Sequence, residues 1–162
     1  MEEYKNIIDT KFGQLKMSDG PENLYCWTGI VKVPVRNNFE EIPVFILTNG
    51  LKISDLTIEF VSSIVLDASN YIKASIKYIQ EILIHQSEEY KISKDEFDLL
   101  LYDIDLFPLF LPEFTFWEGS QEWMIRFAEG QFRICDPLGI GITFKRNNPI
   151  SVNNLEESEF ID

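Results

Sequence analysis

The spacing of apolar positions changes twice along the chain. In the first third it is the spacing of strands. Trp27-Thr28-Gly29-Ile30-Val31-Lys32-Val33-Pro34-Val35 puts Ile30 and Lys32 on one face and Val31, Val33 and Val35 on the other. Arg36-Asn37-Asn38 supplies a turn, and Glu41 to Leu47 runs back as an antiparallel partner. Upstream, Lys11 to Leu15 and Ser18 to Asn23 carry turn residues that bracket short strands. Proline cannot donate to a ladder, so Pro34 and Pro43 place these two strands near a sheet edge.

From residue 53 to 101 the spacing becomes helical. Ile53, Leu56, Phe60, Val61, Ile64 and Val65 form one stripe behind Ser54 or Asp55, either of which can cap the free N–H groups of a first turn. Tyr71, Ile72, Ser75, Ile76, Ile79, Ile82 and Leu83 form a second stripe, starting near Asp67 and ending around Gln86-Ser87. Ser93-Lys94-Asp95-Glu96 has the capping-box pattern and opens a short third helix through Leu101. Strand spacing then returns in Ile104 to Phe107, Glu113 to Trp117, Glu122 to Phe127, Gly139 to Phe144 and Ile150 to Val152, with Glu118-Gly119-Ser120 as a hairpin turn. Grouped helices between two β regions predict an α+β fold: a mostly antiparallel sheet with about three helices packed on one face. Residues 1–162 are expected to form a single domain, with 155–162 a loose acidic tail.

Composition fits a folded core and narrows the partners. An apolar fraction of 45% with 14% aromatic residues is too rich for a disordered acidic chain. Against 14 Lys+Arg stand 27 Asp+Glu, a net charge of −13, and the longest basic run is Lys145-Arg146. Binding to nucleic acid is driven by neutralising phosphates with a basic face, so this charge excludes the usual nucleic-acid binder. No stretch approaches the ~18 apolar residues of a membrane span, and the first residues lack the pattern of a signal peptide. Cys26 and Cys135 stand far apart and read as free thiols. The expectation is a soluble cytoplasmic protein that binds neither nucleic acid nor membrane.

Candidate chemistry is sparse. The single histidine, His85, stands at a helix end, which leaves no second member for a His metal site or a catalytic triad. Arg133 and Cys135 would share a strand face, but the thiol has neither a Cys-x-x-Cys partner nor a helix N-terminus, so it reads as buried and inert. Gly139-Ile140-Gly141 begins like a dinucleotide motif, yet Phe144 stands where the third glycine belongs, and no Walker A loop occurs. No catalytic, cofactor or metal residues are therefore assigned. What remains is acidic and aromatic: Asp103, Asp105, Glu113, Glu118 and Glu122 lie among Phe107, Phe110, Phe114, Phe116, Trp117 and Trp123. Strand alternation sends Phe114 and Phe116 to the core and Trp117 outward with Thr115 and Glu113. Trp117, Glu113, Glu118, Glu122 and Asp105 are the predicted partner-binding surface.

The order of these elements resembles a family of uncharacterised bacterial domains, several of which look like immunity proteins of polymorphic-toxin systems. The matching features are Trp27-x-Gly29 leading a strand that ends at Pro34, a returning strand with Pro43, two consecutive helices and a late glycine-containing strand. In the family that late strand is often entered by an acidic-His-Gly-x-Gly sequence. Here Cys135-Asp136-Pro137-Leu138-Gly139-Ile140-Gly141 keeps Asp136, Gly139 and Gly141 without the histidine. The resemblance implies this fold and a non-enzymatic module that binds a protein partner; the charge of −13 makes a basic toxin the candidate, and the chain is expected as a monomer or weak homodimer. Two other readings remain: a carboxylate-dependent enzyme, with or without a divalent metal, in which at least two of those five acids converge, and a homodimeric structural or regulatory module joined through its C-terminal strands.

Overall fold

The computed structural model describes residues 6–155; apart from Leu155, the expected acidic tail lies outside them. Eight strands form one sheet in chain order, β1 (Ile7–Thr10), β2 (Gly13–Asp19), β3 (Tyr25–Val35), β4 (Asn38–Thr48), β5 (Leu109–Trp117), β6 (Glu122–Gly130), β7 (Ile140–Lys145) and β8 (Asn148–Asn154). Every neighbour pair is antiparallel except β4 and β5, which run parallel over Val44–Leu47 against Phe114–Trp117. A parallel pair needs a long crossover, and the helices supply it. They are α1 (Asp55–Val65), α2 (Ala68–His85) and the single turn α3 (Phe97–Leu100). The fold is α+β, with a mostly antiparallel sheet.

Local chemistry accounts for the boundaries. The Ser54 hydroxyl accepts the Thr57 N–H at 3.2 Å and starts α1. Ser93 and Glu96 form the expected capping box, which opens on a short 3-10 turn (Lys94–Glu96) before α3. Arg36 and Asn37, both with positive φ, make the two-residue turn of the β3–β4 hairpin, a geometry that matches strand twist. At Gly139, φ is +82° and a Cβ would lie 2.0 Å from the Phe127 carbonyl oxygen, so the entry to β7 tolerates only glycine.

Three expectations need correction. The strands carrying Pro34 and Pro43 are interior, between β2 and β5, and the sheet edges are β1 and β8. Both prolines are tolerated because they fall at alternate, non-hydrogen-bonded positions counted from the Val35–Asn38 pair. Their outward sides also lack a ladder there: β2 pairs only with Tyr25 to Thr28, and β5 joins β4 only from Val44. Ile104 to Leu106, expected as a strand, is a 3-10 turn, followed by a longer β5 that includes Pro112. Arg133 to Cys135 is also a 3-10 turn, so the two side chains do not share a strand face: Arg133 is exposed and Cys135 buried.

The helices cover one face of the sheet. α2 touches both β3 and β8, and from its first turn Ser69 bonds the Pro34 carbonyl while the Tyr71 hydroxyl reaches Asn147 at 3.1 Å. The sheet therefore curls around α2. The core between them centres on Trp123, stacked on Phe144 at 4.3 Å and Phe116 at 5.3 Å, met edge-on by Tyr71 at 5.2 Å, and donating its indole N–H to the Arg146 carbonyl at 2.7 Å. Replacing this side chain removes the ring contacts and takes the indole donor from the Arg146 carbonyl. Trp123→Ala is expected to cost about 3–5 kcal/mol, read as a lower urea midpoint at constant slope.

Candidate functional site

Among the described residues, no helix or strand packs on the sheet face opposite the helices. The alternation of β5 sends Phe114 and Phe116 to the core and Glu113, Thr115 and Trp117 to this uncovered side. Neighbouring strands add Phe45 and Leu47 from β4 and Met124 and Arg126 from β6, in register with Thr115, Trp117 and Glu113. All but Trp117 are half-buried. Trp117 stands at the end of the face and is 38% exposed.

At that end the ring borders a groove between α1 and the β5–β6 turn. Leu56, Phe60, Phe116, Trp117, Gly119 and Gln121 are among the lining residues of its roughly 330 Å³. Leu56 was expected on the buried stripe of α1, yet it is 79% exposed. It belongs to the first helical turn and shares its stripe with Phe60 one turn on. A groove walled by an exposed leucine and an exposed tryptophan is where an apolar side chain from another molecule would lose water on both sides.

The five residues predicted to bind a partner do not form one patch. Glu113 lies on the uncovered face but is half-buried and paired with Arg126 at 3.0 Å, whose Nε donates to the Leu138 carbonyl at 2.7 Å. The Glu118 carboxylate accepts the Ser54 N–H at 2.9 Å, tying the end of β5 to the start of α1. Glu122 opens β6, exposed and in register with Lys145. Asp105 is exposed in the turn before β5, so the nine residues of β5, at about 3.3 Å each, separate it from Trp117. Asp103 stands two residues from Asp105, and Glu118 and Glu122 stand at the two sides of the β5–β6 turn. Among the described residues, no three His, Cys, Asp or Glu side chains are grouped to hold a metal ion.

At the far end of β5, Arg36 reaches from the β3–β4 turn to the carbonyls of Phe107 and Leu109 and lies 5.6 Å from the centre of the Phe110 ring. Burial lowers its pKa from the ordinary guanidinium value, against the opposing pull of Glu40 and Asp105. Beside it β4 and β5 have not yet joined, and a cavity of about 220 Å³ opens between Glu40, Glu41, Pro43, Leu111, Pro112 and Glu113. Buried Glu96 accepts the N–H groups of Ser93 at 3.1 Å and Arg133 at 2.9 Å, a structural tie between α3 and the turn after β6. His85 is an exposed last residue of α2. No helix among the described residues is long and apolar enough to cross a membrane.

Compared with protein-family models, curated proteins and solved structures, the chain finds no match.

The two thiols differ in surroundings. Cys26 is half-buried, whereas burial pushes the Cys135 thiol up to about 12. One thiol per chain is expected to react with Ellman's reagent at pH 8, and two after unfolding in denaturant. The sign of the linked stability follows. The unfolded chain loses the Cys135 proton near pH 9 and the folded chain only near 12, so this contribution is complete below pH 9 and is lost as pH rises from 9 to 12. Cys135→Ala should flatten that alkaline fall in the urea midpoint.

Proposed function

We propose that the chain is a non-enzymatic protein-binding module that neutralises a partner by covering it, with a basic toxin as the partner. The observation that carries this reading is the groove at Trp117, where an exposed tryptophan and an exposed leucine flank a concavity at the end of an uncovered sheet face. Tryptophan is a frequent anchor of protein interfaces because it buries a large area at small entropic cost. The net charge of −13 supports the sign of the partner, since an acidic surface attracts a basic protein and raises its association rate. The reading places the protein in the cytoplasm, where Cys26 and Cys135 remain reduced.

The roles of the residues divide accordingly. Trp117 supplies desolvated contact area, and exposed Glu122 supplies steering. Glu118 holds α1 against β5 and so shapes the groove from behind. Glu113, committed to Arg126, contributes mainly by keeping the sheet face rigid.

Co-expression with a toxin encoded beside the gene for this chain tests the reading. Protection and a complex at low salt are expected, and neither appearing would overturn it. With that partner, Trp117→Ala should weaken binding by about 2 kcal/mol or more, roughly thirtyfold, at an unchanged melting temperature. Glu122→Gln should lower the association rate and its salt dependence with little effect on dissociation. Glu118→Ala should instead cost about 1 kcal/mol of stability, by freeing the Ser54 N–H at the start of α1.

A further inference from the structure

Among the described residues, fourteen large apolar side chains are exposed, and six of them fall within fifteen consecutive residues, 97–111. Leu101 is 76% and Leu106 71% exposed, with Phe97, Tyr102, Phe110 and Leu111 beside them. Exposed apolar side chains scattered singly need no explanation, but this concentration does. The segment joins α3 to β5, and a connection with no other task would be polar at these positions.

Its charge is equally one-sided. From residue 95 to 125 the sequence has eight Asp and Glu and no Lys, Arg or His. Asp98, Asp103 and Asp105 alternate with the apolar side chains and are exposed. Arg36 reaches residues 97–111, where it donates to the carbonyls of Phe107 and Leu109 and its charge also acts on Asp105.

The backbone under these side chains is anchored from three sides. The Gln80 amide on α2 donates to the carbonyls of Leu100 and Tyr102, both at 2.8 Å. The Ser93–Glu96 capping box fixes the start, and Arg36 fixes the end. A surface already ordered loses little conformational entropy on binding, which is how an exposed apolar patch becomes a binding site and not merely a liability.

We propose that the surface of residues 97–111 docks a cationic amphipathic segment of a partner protein, with its apolar side chains on Leu101, Tyr102 and Leu106 and its lysines or arginines on Asp98, Asp103 and Asp105. The proposal rests on the reading of the chain as a protein-binding module. It adds to that reading a second contact, at the opposite end of β5 from Trp117. The sign of the charge sets the partner's chemistry: phosphate-bearing surfaces are repelled, and only a cation beside apolar groups satisfies both halves of the patch.

The probe is a fluorescein-labelled, capped peptide of Leu and Lys at helical spacing, titrated into the full chain at low salt and followed by anisotropy. A Leu and Glu peptide of the same apolar pattern is the control. The Lys peptide should bind and the Glu peptide should not. Leu101→Ser with Leu106→Ser should weaken binding about tenfold at an unchanged melting temperature, and because this variant keeps the net charge, general attraction to an acidic protein is held constant. Asp103→Asn with Asp105→Asn should weaken it about fivefold and flatten its salt dependence. Trp117→Ala should leave it unchanged. Equal binding by the double serine variant, equal binding of the Glu peptide, or loss of binding in Trp117→Ala would each overturn the proposal. Protection from a toxin without peptide binding would remove this second contact alone, and peptide binding without protection would remove the toxin reading alone.

Discussion

The parallel pairing of β4 with β5 is the constraint on which the rest of the molecule depends. Two antiparallel meanders of four strands each could form separate, marginal sheets. Joining them through parallel neighbours obliges the chain to leave at Thr48 and re-enter at Leu109, at the opposite end of the sheet. The intervening stretch must return across the sheet, and it does so as helices that bury one face. The joint itself is short, four residue pairs. Much of what holds the two meanders together is therefore the curl around α2, with Ser69 on the first meander and Tyr71 on the turn of the second.

That economy decides where surfaces are left over. The helical side is filled by stacked rings, Phe114, Phe116, Trp123 and Phe144, with Tyr71 and Phe60 meeting them edge-on. None of that side is available to another molecule. Besides the face opposite the helices, what remains lies at the two ends of β5, where the crossover departs from and rejoins the sheet. One end carries the Trp117 groove, with Leu56 exposed at the first turn of α1. The other carries Arg36, Phe110 and the apolar, acidic stretch before β5.

The fold was readable in the sequence wherever one local rule had no competitor. Ser54, the Ser93 capping box, the α2 stripe and the Phe114/Phe116 versus Trp117 alternation each followed from spacing alone. Pro34 and Pro43 misled because the rule against proline in central strands assumes two full ladders, and here β2 and β5 each fall short of them. Ile104 to Leu106 has the apolar spacing of a strand but no neighbour to pair with, so the same residues close a 3-10 turn. The proposed site was legible only in part. Alternation placed Trp117, but Glu113, Glu118 and Asp105 are near one another in sequence and separated in space by pairing to Arg126, by a bond to α1 and by the length of β5. Leu56 could not be found from its stripe, because periodicity gives the side of a helix and not how deeply each position on that side is covered.

The lack of any lysine or arginine between Lys94 and Arg126 has a practical side. Trypsin leaves residues 95 to 126 as one long, acidic, aromatic peptide that carries Trp117, Leu101 and Leu106 together. Amine-directed cross-linkers find no group to label anywhere in it. A complex formed through either end of β5 would thus give no lysine cross-link from within this stretch, and its map would be drawn from neighbours such as Lys52 and Lys145. Carboxylate-coupling reagents, with Asp98, Asp103, Asp105 and Glu122 exposed in this stretch, invert that bias.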